Sequence, residues 1–191
     1  MYIKPASQPA RAWTLLEMML AVGVFGISSL ALASIFLFSV RSYAALANYA
    51  VLDQYNRQAM DQVTYEIRQA QQITGYSSNS TSSSLTMVNG AGLTVSYTFD
   101  AAHQQVRRTA SDGSFKVLLT NCNLLSFGLY MRPPTNGTFD VYPVDMGTNW
   151  QSTVKVVQLT WKTAMSICPT ALVNSEDIQT ARIVIRKQQG S

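Results

Sequence analysis

Apolar and polar residues follow three rhythms along the chain. From Met18 to Val40 no residue is charged, a run of 23 residues. As a helix rising ~1.5 Å per residue it would cover ~35 Å, enough for a hydrocarbon core of ~30 Å. After Val40 the apolar residues thin to a stripe. Leu52, Ala59, Val63, Ile67, Ala70 and Ile73 recur at gaps of three, four or seven, the spacing of one helix face. Asp53 and Arg57 stand at i, i+4 in the favourable order. No Pro occurs from residue 10 to 132. One helix is therefore expected from about 13 to about 74, with Gly75 as its stop and SSNSTSSS (77–84) as a polar loop. A break near Arg41 into two helices fits the same pattern.

Past Ser84 the period becomes two. In LTVSYTFD the apolar Leu93, Val95, Tyr97 and Phe99 alternate with Thr94, Ser96 and Thr98, as in a half-buried strand. NGAG (89–92) before it predicts a hairpin over 85–99. QQVRRT and FKVLL predict another, turning at Asp112-Gly113. LLSFGLYMR puts Leu125, Phe127, Leu129 and Met131 on one side and ends at Pro133-Pro134. Residues 133–152 predict a long loop, and KVVQLTW (155–161) and TARIVIRK (180–187) two more strands. The fold class is α+β: a long N-terminal helix, membrane-spanning in its first half, packed on an antiparallel β-sheet domain.

Charge adds little to this division. The 191 residues carry a net +4, but Lys4 and Arg11 precede the apolar run; removing them from the 14 basic residues leaves 12 against 10 acidic ones. That balance, without a dense basic patch, gives no case for nucleic acid. Arg107-Arg108 is the one notable basic pair, read as a solvated strand edge. The two leading cations predict that the first dozen residues stay cytoplasmic and the remainder is exported.

Three readings of the N-terminus compete. A signal peptide would use Ala31 and Ala33 as its cleavage site, although the apolar run continues through Phe38. A plain anchor leaves Glu17 without a task. The third reading uses every feature. A cut between Ala12 and Trp13 makes Glu17 the fifth residue of a helix whose amino end favours an anion. Glu17 then lies one turn from the new α-amine. A carboxylate in lipid is costly unless paired, so Glu17 favours assembly that brings an amine to it, from its own chain or a neighbour.

The string A|WTLLEMMLAV, with the bar at Ala12|Trp13, resembles the signal of type IV prepilins and type II secretion pseudopilins. Ala12 stands where the family usually has Gly, and Trp13 where Phe is commoner. The resemblance implies cleavage by a prepilin peptidase after Ala12, N-methylation of Trp13 and an assembly role for Glu17. It also implies a cytoplasmic leader (1–12), a transmembrane polymerisation half-helix (13–40), an amphipathic half-helix (41–75) and a β-rich periplasmic domain (76–191). The implied partners are other pilin or pseudopilin subunits, the peptidase, an inner-membrane assembly platform and inner-membrane lipid. DQVTYEIRQAQQI, VLLTNCNLLSFGLYMR and ARIVIRK are similar to the larger minor pseudopilins, the J-type of type II secretion and the W-type of pilus systems. The function so implied is that of a structural minor subunit, not an enzyme. A membrane-tethered or secreted β-rich binding domain is the alternative.

The residues supply little reactive chemistry. The lone histidine, His103, is read as a solvated turn residue, and no nucleophile motif accompanies it. Two cysteines 46 positions apart with one histidine match no zinc spacing, and no phosphate-binding glycine loop is present. No metal or cofactor is expected. Cys122 and Cys168 would form a disulfide worth ~3–4 kcal/mol in an oxidising compartment, or remain two thiols in a reducing one.

Overall fold

The computed structural model describes residues 13–79, 82–132, 140–147, 149–166 and 175–186. The leader, including Ala12, lies outside the described residues, as do Pro133-Pro134 and Cys168. The long helix α1 comprises Leu15–Arg68. The chain divides after Ala44 into two units, described separately below.

In the first unit the side chains of α1 are exposed on every side. Trp13, Leu16, Phe25, Leu30 and Phe36 are each about 70% exposed, and no residue from Trp13 to Ala44 is buried. A helix apolar all round requires an apolar surrounding, and α1 is long and apolar enough to cross a membrane. Its hydroxyls are consistent with that solvent. Ser28, Ser34 and Ser39 each donate to the carbonyl four residues back, Val24, Leu30 and Ile35, at 2.8–2.9 Å, which leaves those donors satisfied within the helix.

In the second unit α1 buries one stripe: Leu52, Asn56, Ala59, Val63 and Ile67. The helix ends at Arg68, not near 74. Gln72–Ser78 is strand β1, and the serines at 83 and 84 open strand β2, Ser83–Val88. Gly75 is a strand residue. A Cβ there would meet Thr86 Cβ at 3.2 Å, and the β1–β2 register slips between Ile73 and Gly75. The glycine accommodates a bulge and a close neighbour strand instead of capping a helix.

The hairpins turn where expected. β3 is Thr94–Asp100, β4 Gln105–Ala110 and β5 Phe115–Leu119. Gly92 and Gly113 take the positive φ, 82° and 85°, that these turns need. β6 is Cys122–Met131, β7 Tyr142–Pro143, β8 Val156–Met165 and β9 Ser175–Val184; a short helix α2, Trp150–Thr153, precedes β8. Among the described residues the expected single sheet is two antiparallel sheets, β1-β2-β3-β4-β5 and β7-β6-β8-β9. The chain passes between them through Asn121, a left-handed residue at φ 56°. One core joins the helix stripe to both sheets, with Tyr97, Leu85, Met87, Val95, Leu159, Trp161 and Ile183 almost wholly buried.

Polar contacts fix how the elements meet. Buried Asn56 donates through Nδ2 to Thr163 Oγ1 at 2.8 Å and to Asp177 Oδ2 at 2.6 Å, tying α1 to β8 and β9. Tyr76 of β1 donates to the Phe127 carbonyl of β6, a link between the sheets. The Arg186 amide reaches the last helical carbonyl, Arg68, at 3.1 Å.

Candidate functional site

The sequence singled out the start of α1, and the structure describes Trp13 and Glu17 there. Trp13 is 72% exposed. Thr14 is the residue just before the helix, and its carbonyl accepts the first helical bond, from Met18 N at 3.2 Å. Its hydroxyl accepts the Glu17 amide at 3.3 Å. Glu17 reaches back in turn, and its Oε2 accepts the Thr14 amide at 2.9 Å and the Thr14 hydroxyl at 3.0 Å. Thr14 and Glu17 thus form a reciprocal capping box, satisfying two amides that a helix start leaves unpaired.

This motif was readable in the sequence as Thr-Leu-Leu-Glu before an apolar run, a threonine followed three residues later by a carboxylate. It changes one premise. Glu17 has a task even in a plain anchor, because it closes the amino end of the helix. The carboxylate stays at the mouth of the apolar segment, where an ammonium could still reach it. Gly23 and Gly26 have nothing within 4 Å of a built Cβ, so nothing in this unit requires glycine there.

Apart from Arg41 and Tyr43, the remaining titratable residues among those described lie in the second unit. Arg108 is not on a solvated edge, because β4 pairs with β3 on one side and β5 on the other. Its Nε lies 2.9 and 3.0 Å from the two oxygens of Glu66 on α1. Both side chains are only 15–16% exposed. Tyr97 donates its hydroxyl to Glu66 at 2.6 Å. Burial, reinforced by the Glu66 carboxylate, pushes the Tyr97 hydroxyl well above its ordinary range. Burial opposes the Arg108 charge, but the same carboxylate outweighs it and holds the guanidinium above its usual value. The three side chains clamp α1 to the first sheet. Arg107 is the more open of the pair and bridges to Asp100 at 2.7 Å.

His103 sits in the β3–β4 turn, with Nδ1 2.8 Å from Asp100. Its own side chain is 66% exposed, as read for a solvated turn residue. Cys122 is a free, buried thiol that donates to the Leu124 carbonyl at 3.1 Å. Burial pushes that thiol up to about 11, which makes it a poor nucleophile at neutral pH. Its proposed partner Cys168 lies outside the described residues, so the pairing finds no support here.

Two of the clefts among the described residues of this unit are shallow. One, of about 140 Å³, lies between α1 and β5 and is lined by Tyr55, Gln58, Gln62 and Lys116. The other, of about 260 Å³, is lined by Gln104, Asn121, Asn123 and Ser166. Among the described residues neither brings an acid, a base and a nucleophile together, and no three His, Cys, Asp or Glu converge on a metal position. No protein-family model matches the chain, and comparison with curated proteins finds no match.

Proposed function

We propose that the chain is a structural subunit of a type IV pilin-like filament, assembled through its N-terminal helix, and that among such subunits it is a minor pseudopilin. The observation that carries this reading is the position of the Thr14–Glu17 segment, whose carboxylate is the fifth residue after the expected cut. The segment opens an all-apolar helix two residues past the expected cut at Ala12|Trp13. A prepilin peptidase would remove residues 1–12 and expose the Trp13 amine for methylation. Glu17 would then exchange part of its internal cap for an ammonium on a neighbouring subunit during extraction from the inner membrane. The β-rich unit would lie in the periplasm and select neighbours by its surface. The role is non-enzymatic and needs no cofactor.

The alternative is a tethered binding domain whose helix is only an anchor. The cap favours neither reading by itself, because it stabilises both helix starts. Charge separates them. Gln can replace Glu at the third helical position of a capping box but cannot pair with an ammonium as an ion. In the filament reading Glu17→Gln abolishes incorporation into the fibre, as Glu17→Ala does, while membrane insertion persists. As a tether, the Gln variant behaves as the parent does. Amino-terminal sequencing of the mature protein is the direct test. Methylated Trp13 is the expected first residue; a chain beginning at Met1 or Ser34 would overturn the filament reading.

A further inference from the structure

Sheet edges expose unpaired backbone groups, and proteins normally blunt them with bulges, short strands, Pro or Lys. Among the described residues three of the four edges are blunted. β1 carries the register slip at Ile73–Gly75. β5 carries a slip opposite Val106–Arg107 and an exposed Lys116. β7 is two residues long and ends in Pro143. The fourth, β9, is different. It pairs with β8 over all ten residues, Ser175 to Val184, without a slip, and it contains neither Pro nor Lys. The bond just beyond it fixes which of its amides are open. The Ile185 amide donates to the Lys155 carbonyl at 3.0 Å, so the odd-numbered residues of β9 bond to β8. The Ala164 amide points away from β9, to the Asn121 carbonyl, as that alternation requires. The amides of Glu176, Ile178, Thr180, Arg182 and Val184 therefore face the edge. The Arg186 amide, next in that series, turns to Arg68 of α1 at 3.1 Å. The same five side chains are exposed, Ile178 by 63% and Val184 by 48%.

We propose that the β9 edge receives an extended, acid-bearing segment of another protein, which adds as a further antiparallel strand. Charge selects this occupant. At the start of β9 Glu176 is matched by Lys162 at 2.9 Å, and Asp177 accepts the amides of Asn56 and Gln179. Towards the other end the balance is basic. Arg182, Arg186 and Arg68, which meets Arg186 through the backbone, are all exposed, and among the described residues none of the three has an ion-pair partner. Arg182 gives its Nε to Gln158 Oε1 at 3.0 Å, and its guanidinium carbon lies 5.8 Å from the centre of the Tyr130 ring. Those contacts hold the side chain and leave its terminal nitrogens to donate. Residues directly opposite in a sheet share a face. Acids opposite Arg182 and Arg186 would meet the unmatched charge, and an apolar residue opposite Ile178 would cover it. The backbone ladder then supplies affinity and these side chains supply selectivity.

A second copy's β9 does not fit this place. Ser175 lies by Ala45 and Arg186 by Arg68, so β9 runs with α1. Two β9 strands paired antiparallel would point their α1 helices in opposite directions, whereas copies crossing one membrane in one sense point them the same way. A segment of a different protein carries no such constraint. Strand addition depends on the β9 edge alone and stands whether or not the chain belongs to a filament.

The probe is a labelled synthetic peptide of alternating Thr and Val with Glu at its first and fifth positions, which stand opposite Arg186 and Arg182. Its control carries Lys at both. Fluorescence anisotropy with the full chain in detergent should show the acidic peptide binding and the control binding roughly tenfold more weakly. Combining Arg182→Glu with Arg186→Glu should reverse that preference. Hydrogen exchange locates the contact. Under the acidic peptide the amides of Ile178, Thr180 and Arg182 should slow, while those of Ala181 and Ile183, already bonded to β8, should change little. Thr180→Pro removes an edge-facing N–H and none from the β8 ladder. It should bind neither peptide while keeping the parent's circular dichroism spectrum. No binding of the acidic peptide, equal binding of both peptides, a preference the charge reversal leaves in place, or protection confined to other strands would each overturn the proposal. So would edge amides already protected in the chain alone by self-association, or a Thr180→Pro variant that binds as the parent does.

Discussion

The two stretches of α1 solve the same problem in opposite ways. From Trp13 to Ala44 no side chain is buried and most are apolar, and the hydroxyls of Ser28, Ser34 and Ser39 turn inward onto the helix's own carbonyls. From Leu52 to Ile67 only one stripe is apolar and buried, and the polar side chains reach other elements, as Asn56 and Glu66 do. The first stretch is written for a solvent that offers no hydrogen bonds, the second for water on one side and protein on the other. One continuous helix can therefore change environment without changing its backbone, since only the distribution of side chains differs.

Substitutions can break that contrast, beginning with the largest effect. Trp161 is fully buried, and Trp161→Ala should cost about 3–5 kcal/mol, read as a lower denaturant midpoint for the β-rich unit with the apolar helix unaffected. In the first stretch Leu30→Arg should oppose membrane insertion by about 3 kcal/mol, seen as a shift out of the alkali-resistant membrane fraction. The same charge at exposed Gln54 should leave that fraction unchanged. Arg108→Met leaves the Glu66 carboxylate without its cation, held by the Tyr97 hydroxyl and a 3.4 Å bond from the Gln62 amide. With some 15% exposure on both partners, the cost should be about 2 kcal/mol. Adding Glu66→Gln should return part of it, which a double-mutant cycle measures.

The smallest effect is a pH effect. The hydrogen bond from His103, with help from Arg107, holds the Asp100 carboxyl below its ordinary 3.8. A depressed folded value means the contribution is complete above the ordinary value and disappears as pH falls through the lower one. Asp100→Asn should therefore slightly lower stability near neutrality and match the parent at the acid extreme. It should flatten only the acid limb below about pH 4, visible in thermal midpoints measured across that range.

The elements were legible where a local rule forced them. Gly92 and Gly113 mark turns because only glycine takes their φ easily, and the alternation at Val95, Tyr97 and Phe99 fixes the buried face of β3. The end of α1 was misread because Ala70 and Ile73 continue the helical spacing while being buried outside the helix. The serine-rich run misled for the opposite reason. Ser83, Leu85 and Met87 alternate inward in β2, but a serine at a buried position looks like loop. The partition into two sheets is a matter of long-range pairing that no local period encodes. The Arg108–Glu66 pair, 42 positions apart, was hidden likewise. At the helix mouth the capping box was written in Thr14 and Glu17, yet seeking an external partner for the acid concealed the internal one.

Asn56 has a mechanical consequence. It is the one polar member of the buried stripe on α1, and its amide is held from two strands at once by Thr163 and Asp177. Sliding the helix by one turn would present Leu52 or Met60 to those oxygens, strip Thr163 of the Asn56 amide and leave Asp177 Oδ2 with Gln179 Nε2 at 3.0 Å. The amide therefore acts as a detent. Tension applied along α1 should be transmitted to β8 and β9 without creep, and should release in a single step when that contact fails.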